Sequence, residues 1–211
     1  MSSLANAPAI EVRDVSKRFR IYREKPTSLK QRLLTSRSRA EDFWALRDVA
    51  LDVGEGSTFG LIGHNGSGKT TLLKCVAGIL RPTSGAILQR GRLAALLELG
   101  AGFHPELTGR ENVYLNASFL GLSRKQTDAA FDDIVAFAEL EQFIDTEVKF
   151  YSSGMLVRLG FAVAVYVEPD VLLIDEVLAV GDESFQAKCL NRVREFQREG
   201  RTIVLVTHAL D

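Results

Sequence analysis

Short apolar runs bounded by turn residues punctuate the chain: "STFGLIG" (57–63), "VLLID" (171–175) and "TIVLVTH" (202–208). Runs without alternation, separated by segments of helical spacing, predict strands buried on both faces of a parallel α/β sheet. "IEVRDVSKRFRIY" and "RDVALDVGEG" alternate apolar with polar positions, like strands with one solvated face. Together with "GAILQRGRLAALLEL" they are expected to form an antiparallel β extension. After Phe103 the strand signal fades. "LTGRENVYLNASFLGL", "SRKQTDAAFDDIVAFAEL" and "LVRLGFAVAV" carry apolar residues at helical spacing, which predicts an inserted helical subdomain over 103–165. The flanking parts, 1–102 and 166–211, supply the α/β core and its β extension, so the whole of 1–211 reads as a single domain. No internal repeat or low-complexity tract interrupts this order.

Residues 23–44, "REKPTSLKQRLLTSRSRAEDFW", fit neither texture. Two readings stay open: a solvated loop, or a short amphipathic helix carrying Leu29, Leu33 and Leu34 beside a surplus of Arg and Lys, facing a membrane surface or a partner.

Composition narrows the function classes only a little. A chain of 211 residues with 46% hydrophobic and 25% charged content is ordinary for a globular protein with a sizeable core. Its 26 basic and 27 acidic side chains leave a formal charge of −1, so the whole-molecule charge does not point to nucleic acid. Cys75 and Cys189 stand in neither a metal nor a redox spacing and read as small buried thiols in a reducing compartment. The start, "MSSLANAPAIEVRDV", lacks the charged residues and apolar run of a secretory signal. The longest apolar stretch, around "LGFAVAVYV", falls short of the roughly 20 residues a membrane span needs. Work at a membrane would therefore rely on a partner's membrane part.

Specific chemistry first enters at "GLIGHNGSGKTTLLKCVAGI". It contains GxxxxGK[ST] as Gly63 to Thr70, directly after an apolar strand and directly before a helix, the context the motif requires. Gly63, Gly66 and Gly68 let the backbone curl so that successive N–H groups point at phosphate oxygens, and the following helix adds its positive end. His64 and Asn65 supply mainly backbone, with Ser67 and Thr71 in the same run. Lys69 is placed to bridge terminal phosphates and the Thr70 hydroxyl to ligate Mg²⁺. In "VLLIDE", Asp175 ends a buried strand where ligands bind in open parallel sheets, within reach of Mg²⁺ through water. Glu176 follows and could polarise an attacking water. A phosphate-bearing ligand and Mg²⁺ are what this pair of motifs implies.

Between the two motifs lies "EVKFYSSGMLVRLGFAVAV", in which Ser152 and Ser153 precede an apolar helix and are ordinary N-cap residues. The order phosphate loop, helical insertion, "YSSGM", "VLLIDE" and a lone His208 resembles the nucleotide-binding domain of ATP-binding cassette (ABC) proteins over nearly the whole chain. That resemblance implies an α/β fold: a P-loop NTPase (RecA-like) core with an antiparallel β subdomain and an inserted α-helical subdomain. The family's LSGGQ signature has its five places filled by Tyr151, Ser152, Ser153, Gly154 and Met155. In the family this signature faces the γ-phosphate held by the other subunit, which implies a homodimer with two ATP molecules between subunits. His208 matches the switch histidine, so that Lys69, Glu176 and His208 form the expected catalytic set. "LAVGD" matches the D-loop, with Asp182 in the aspartate place. Phe19 or Tyr22 fits the aromatic that stacks on adenine, and spacing does not choose between them. The Q-loop glutamine position holds Glu98, a departure that puts a carboxylate beside the phosphates and makes Glu98 a further candidate for Mg²⁺ or water.

Within the family, "LLELGAGFHPELTGRENVYLNA", the YSSGM signature, "VLAVGD" and the insert after "RFRIY" resemble the ATPase subunit of polysaccharide exporters. That branch moves lipid-linked O-antigens, capsules, teichoic acids or galactans. It implies a homodimer on the cytoplasmic face of the inner membrane, beneath a separate homodimeric integral membrane permease, with no nucleic-acid partner. The 23–44 insert would lie near the cytoplasmic membrane surface, where its basic side chains, Lys30, Arg32 and Arg37 among them, are expected to attract anionic headgroups or the pyrophosphate of the lipid-linked polysaccharide. Two other branches compete, an ABC-type ATPase energising transport of another substrate and a soluble non-transport ABC ATPase. A small-molecule P-loop kinase shares only the first motif. The family normally continues with further helix and strand after the switch histidine, and some exporters add a carbohydrate-binding domain, so more chain is expected beyond Asp211.

Overall fold

A computed structural model of the chain describes residues 7–22, 40–97, 99–100, 102–175 and 182–207. Its strands fall into two sheets. β1 (Ile10–Tyr22), β2 (Ala40–Val53) and β4 (Ser84–Gln89) form an antiparallel sheet in the order β2-β1-β4. β3 (Thr58–Ile62), β5 (Leu93–Leu96), β6 (Val171–Ile174) and β7 (Thr202–Thr207) form a parallel sheet in the order β3-β7-β6-β5. α1 (Lys69–Val76) follows β3, and α5 (Glu183–Arg198) lies between β6 and β7. The middle of the chain holds α2 (Gly109–Phe119), α3 (Arg124–Ala138) and α4 (Ser153–Tyr166).

Burial explains the layering. One apolar cluster joins β1 and β2 to α1 and to Leu173, Val204 and Val206 of the parallel sheet. A second lies on the other face of that sheet, where Leu172, Ile174 and Ile203 meet α4 and α5 through Phe161, Phe185 and Phe196. The third sits among α2, α3 and α4. α4 serves two of them, giving Leu159 and Val163 to the helical cluster and Phe161 and Val165 to the sheet-facing one. This double burial is why "LGFAVAV" is apolar nearly all round.

Two expectations need correction. "GAILQRGRLAALLEL" does not continue as one antiparallel strand. A turn at Gly91 (φ 79°) ends β4, and β5 instead pairs parallel with β6, Leu93 opposite Val171 and Leu96 opposite Ile174. Asp170 fixes the changeover, its carboxylate accepting from the Arg92 N–H at 2.7 Å. Ala94 and Leu96 are buried, which suits a central layer better than a solvated extension.

The insert is also shorter than 23–44. Residues 40–44 belong to β2, paired with β1 from Tyr22 opposite Ala40 to Arg18 opposite Trp44. Charge and aromatic pairs across the ribbon account for it: Arg18 bonds Asp42 at 2.8 Å and its guanidinium lies 5.5 Å from the Trp44 ring centre. The Leu29, Leu33 and Leu34 stripe, with Lys30, Arg32 and Arg37, lies outside the described residues.

Candidate nucleotide site

In the parallel sheet β7 lies between β3 and β6, with Ile62 opposite Thr207 and Ile174 opposite Leu205. The carboxyl ends of these strands therefore open side by side, and the Gly63–Gly68 loop and Asp175 emerge there as neighbours. The Thr70 hydroxyl donates to the Asp175 carboxylate at 3.0 Å, joining residues 105 positions apart. Lys69 Nζ lies back across the loop and donates to the carbonyls of Gly63 at 2.6 Å and His64 at 3.0 Å.

Glycine is required in this loop by geometry. Gly68 is the N-cap of α1 with φ 95°, a left-handed conformation, and a Cβ there would stand 2.6 Å from the Ala45 carbonyl of β2. Because Gly68 has no side chain, the first N–H groups of α1 have no side-chain cap, and its first turn carries no acid. The result is a helix start whose donors and positive end face the cleft.

The cleft, about 390 Å³, is lined by Asn65 to Thr71, Asp175, Phe43 and Ala45. A larger one of about 500 Å³ lies among Ala7, Arg90, Asp170 and Arg201, around the strand ends where β6 and β7 begin, and shares no residue with the phosphate loop. The loop cleft is the one with convergent chemistry. Its donor set fits Mg²⁺: a hydroxyl and a carboxylate oxygen in contact, hard ligands that leave positions for phosphate oxygens and water. No group of three or more His, Cys, Asp or Glu gathers as a metal cage among the described residues. Mg²⁺ beside phosphates needs none, since it takes one or two carboxylates and fills its shell from the substrate.

Phe43 was not among the residues singled out from the sequence. It stands directly opposite Phe19 across the β1–β2 ribbon, so both rings project from the same face. Phe43 is 51% exposed and lines the cleft, whereas Phe19, 36% exposed, does not line it. Tyr22 pairs with Ala40 at the end of the ribbon. "EDFW" falls in the insert by sequence texture, and only the strand register brings Phe43 to the phosphate loop.

The signature segment is built differently. Ser152 is the N-cap of α4, its hydroxyl accepting from the Met155 N–H at 3.2 Å, and again no acid occupies the first turn. Tyr151, where the resembled family has leucine, is buried. Its hydroxyl donates to the Phe143 carbonyl at 2.7 Å, and burial pushes the phenol's pKa up, so it stays neutral. The ring passes under the start of α2, where a Cβ on Gly109 would meet the Tyr151 hydroxyl at 2.1 Å. Tyr151 and Gly109 are thus one steric unit, a dependence that spacing alone does not reveal.

The loop after position 98 is tied to the same helix. Gly160 of α4 admits the Gly100 backbone, whose nitrogen would lie 2.9 Å from a Cβ there. The buried Asn112 amide donates to the carbonyls of His104, Leu107 and Thr108 and accepts from the His104 N–H at 2.7 Å. His104 is accordingly a loop residue. Asp182 caps α5, its carboxylate accepting from the Phe185 N–H at 2.9 Å. That bond and the Arg158 guanidinium hold its carboxyl below the usual range. Glu98, Glu176, the D-loop residues 178–181 and His208 lie outside the described residues. Both cysteines are buried, Cys189 with its thiol pushed up to about 12 by desolvation, in keeping with inert core thiols.

A parallel sheet with a glycine loop leading into a helix, an acid at the end of the strand next but one and a helical insertion defines a P-loop NTPase fold of the cassette type. The ABC transporter family model matches residues 46–179, and the chain belongs to that family. Among its relatives, the O-antigen export system ATP-binding protein RfbB of Klebsiella pneumoniae is 47% identical over 206 residues, covering 95% of this chain and 84% of the relative. The teichoic acids export ATP-binding protein TagH of Levilactobacillus brevis is 44% identical over 205 residues, covering 97% of this chain and 56% of the relative. The fold itself matches a solved dimeric bacterial ABC transporter cassette, 24% identical, with a TM-score of 0.72 over 95% of this chain and 88% of that one. No described helix is long and apolar enough to cross a membrane.

Proposed function

We propose that this chain is the ATP-hydrolysing subunit of a polysaccharide exporter. It works as a homodimer on the cytoplasmic face of the inner membrane, beneath a separate permease that carries a lipid-linked polysaccharide. The ATPase reading is carried by one observation: the Thr70 hydroxyl and Asp175 carboxylate meet at 3.0 Å beside the uncapped start of α1. The substrate class is supported by the relatives' names, O-antigen export and teichoic acids export.

In this reading the loop N–H groups and Lys69 hold the phosphates of ATP, while Thr70 and Asp175 would hold Mg²⁺, which would supply charge neutralisation beside the phosphates. Phe43, with Phe19 beside it, offers the base an aromatic surface. The α4 start at Ser152 to Gly154 faces the γ-phosphate bound by the partner subunit, completing each site only in the dimer. Glu176 orients the attacking water and His208 contacts the γ-phosphate. Catalysis is then chiefly positioning and charge stabilisation. A Glu176→Gln chain is expected to bind ATP, turn over poorly and accumulate as a dimer, read by phosphate release and sedimentation. Full retained turnover would show that another group positions the water. For the transported substrate, depletion of the chain in cells is expected to trap a lipid-linked glycan on the cytoplasmic side. Normal glycan export after depletion would remove the exporter assignment.

A further inference from the structure

Arg158 lies on α4 four residues after Gly154, one turn deeper on the same helix face as the signature. Its side chain, 19% exposed, reaches the ends of two other helices. One nitrogen donates to Glu139 at 2.7 Å, and Glu139 is the C-cap of α3, held at φ 58°. The other donates to Asp182, the N-cap of α5, at 2.5 Å. The guanidinium also lies 5.0 Å from the ring centre of Phe185 on α5. Lys188 closes the cluster, donating to Glu139 at 2.7 Å and to the Phe137 carbonyl at 3.2 Å. Asp182 spends its two oxygens separately, one on the Phe185 N–H and one on Arg158.

A solvated ion pair contributes little, but a planar fork gripping two carboxylates and stacked on a ring fixes direction as well as distance. The directions matter here. α4 presents the signature at its start. Glu139 ends α3 and Asp182 starts α5, so the fork holds α4 against two helix ends at once. We propose that Arg158 is a positioning residue, a clasp that sets the signature end of α4 relative to the end of α3 and the start of α5. Each half-site then keeps its register when two copies close on ATP. The inference rests on the ATPase reading above.

The clasp can be separated from the cap. Asn caps a helix about as well as Asp, so Asp182→Asn removes the ion pair and keeps α5 capped. Arg158→Met removes the fork and keeps the stem over Phe185. Arg158→Lys keeps the charge but cannot grip two carboxylates at once. Melting temperature, ATP KM, kcat and ATP-driven dimerisation are measured for these variants, the Arg158→Met/Asp182→Asn double variant and Lys69→Ala. KM is expected to stay within about twofold while kcat and dimerisation fall about tenfold in Arg158→Met, less in Arg158→Lys, and no further in the double variant. Unchanged kcat in Arg158→Met, a KM effect without a kcat effect, or additive losses in the double variant would each overturn the clasp. Should Arg158→Met fail to fold, Arg158→Lys and Asp182→Asn carry the same comparison. Wild-type turnover that Lys69→Ala abolishes stands for the ATPase reading independently, so a clasp that fails there fails alone. A wild-type chain with no ATP turnover would overturn both.

Discussion

The starts of α1 and α2 make a useful pair. α2 opens with a complete capping box: Thr108 accepts from the Glu111 N–H at 3.2 Å, and the Glu111 carboxylate accepts from the Thr108 N–H at 2.8 Å. α3 repeats the arrangement with Ser123 and Gln126. These ends satisfy their own donors and, at α2, supply their own counter-charge, so they have little left to offer a ligand. α1 begins on Gly68 with no side chain and no acid in its first turn. α4 is intermediate, with a single serine cap and no acid. The two helix starts assigned to phosphate in the proposal are the ones without a capping box or a first-turn acid, and at α1 a glycine in a left-handed turn against β2 leaves the first donors with no side-chain cap.

The sharpest way to break this contrast is to give α1 a side chain at its cap. Gly68→Ala places a Cβ 2.6 Å from the Ala45 carbonyl at a φ of 95°. A shift of the loop by an ångström is expected to lower ATP turnover about 10²-fold, measured as kcat/KM for phosphate release. Next comes Gly109→Ala at the start of α2, which drives a Cβ into the Tyr151 hydroxyl. Overpacking there is expected to cost about 1–3 kcal/mol in urea unfolding, with part of the loss recovered when Tyr151→Phe is added. Thr108→Ala and Ser152→Ala are each expected to cost about 1 kcal/mol as lost caps, but only Ser152→Ala should also slow hydrolysis. Equal effects of both on turnover would erase the distinction between a structural and a functional helix start.

The smallest effect concerns Cys189. Its pKa is raised to about 12, so the folded state favours the neutral thiol. The stability this provides is present below the ordinary thiol range and is lost as pH rises through about 12. Maleimide labelling at pH 7 is expected only after denaturation.

Much of this was legible in the sequence because it follows from local rules. The apolar runs at 58–62, 171–174 and 202–207 are strands of the parallel sheet, although β3, at its edge, alternates exposed and half-buried positions instead of being buried on both faces, and the helical spacing after Phe103 becomes α2, α3 and α4. What stayed hidden depends on register and on non-local packing. Phe43 reaches the cleft only because it pairs with Phe19, and the split of 85–99 between two sheets depends on a turn locked by Asp170. The signature pattern assigns Tyr151 only a place, whereas the fold makes it a wedge that requires glycine at 109. Arg158 gave no signal along the chain, because its partners Glu139 and Asp182 stand 19 and 24 residues away on separate helices.

The central claim is that each nucleotide site is shared between two copies of the chain. Mixing Lys69→Ala with Ser152→Arg chains tests it, because each variant alone damages both sites of its own dimer. A mixed dimer would instead pair an intact phosphate loop with an intact signature at one site. An equal mixture of inactive variants is predicted to recover about a quarter of wild-type ATP turnover, since half the dimers are mixed and each has one good site. A mixture that forms dimers yet stays as inactive as its components would contradict the shared site.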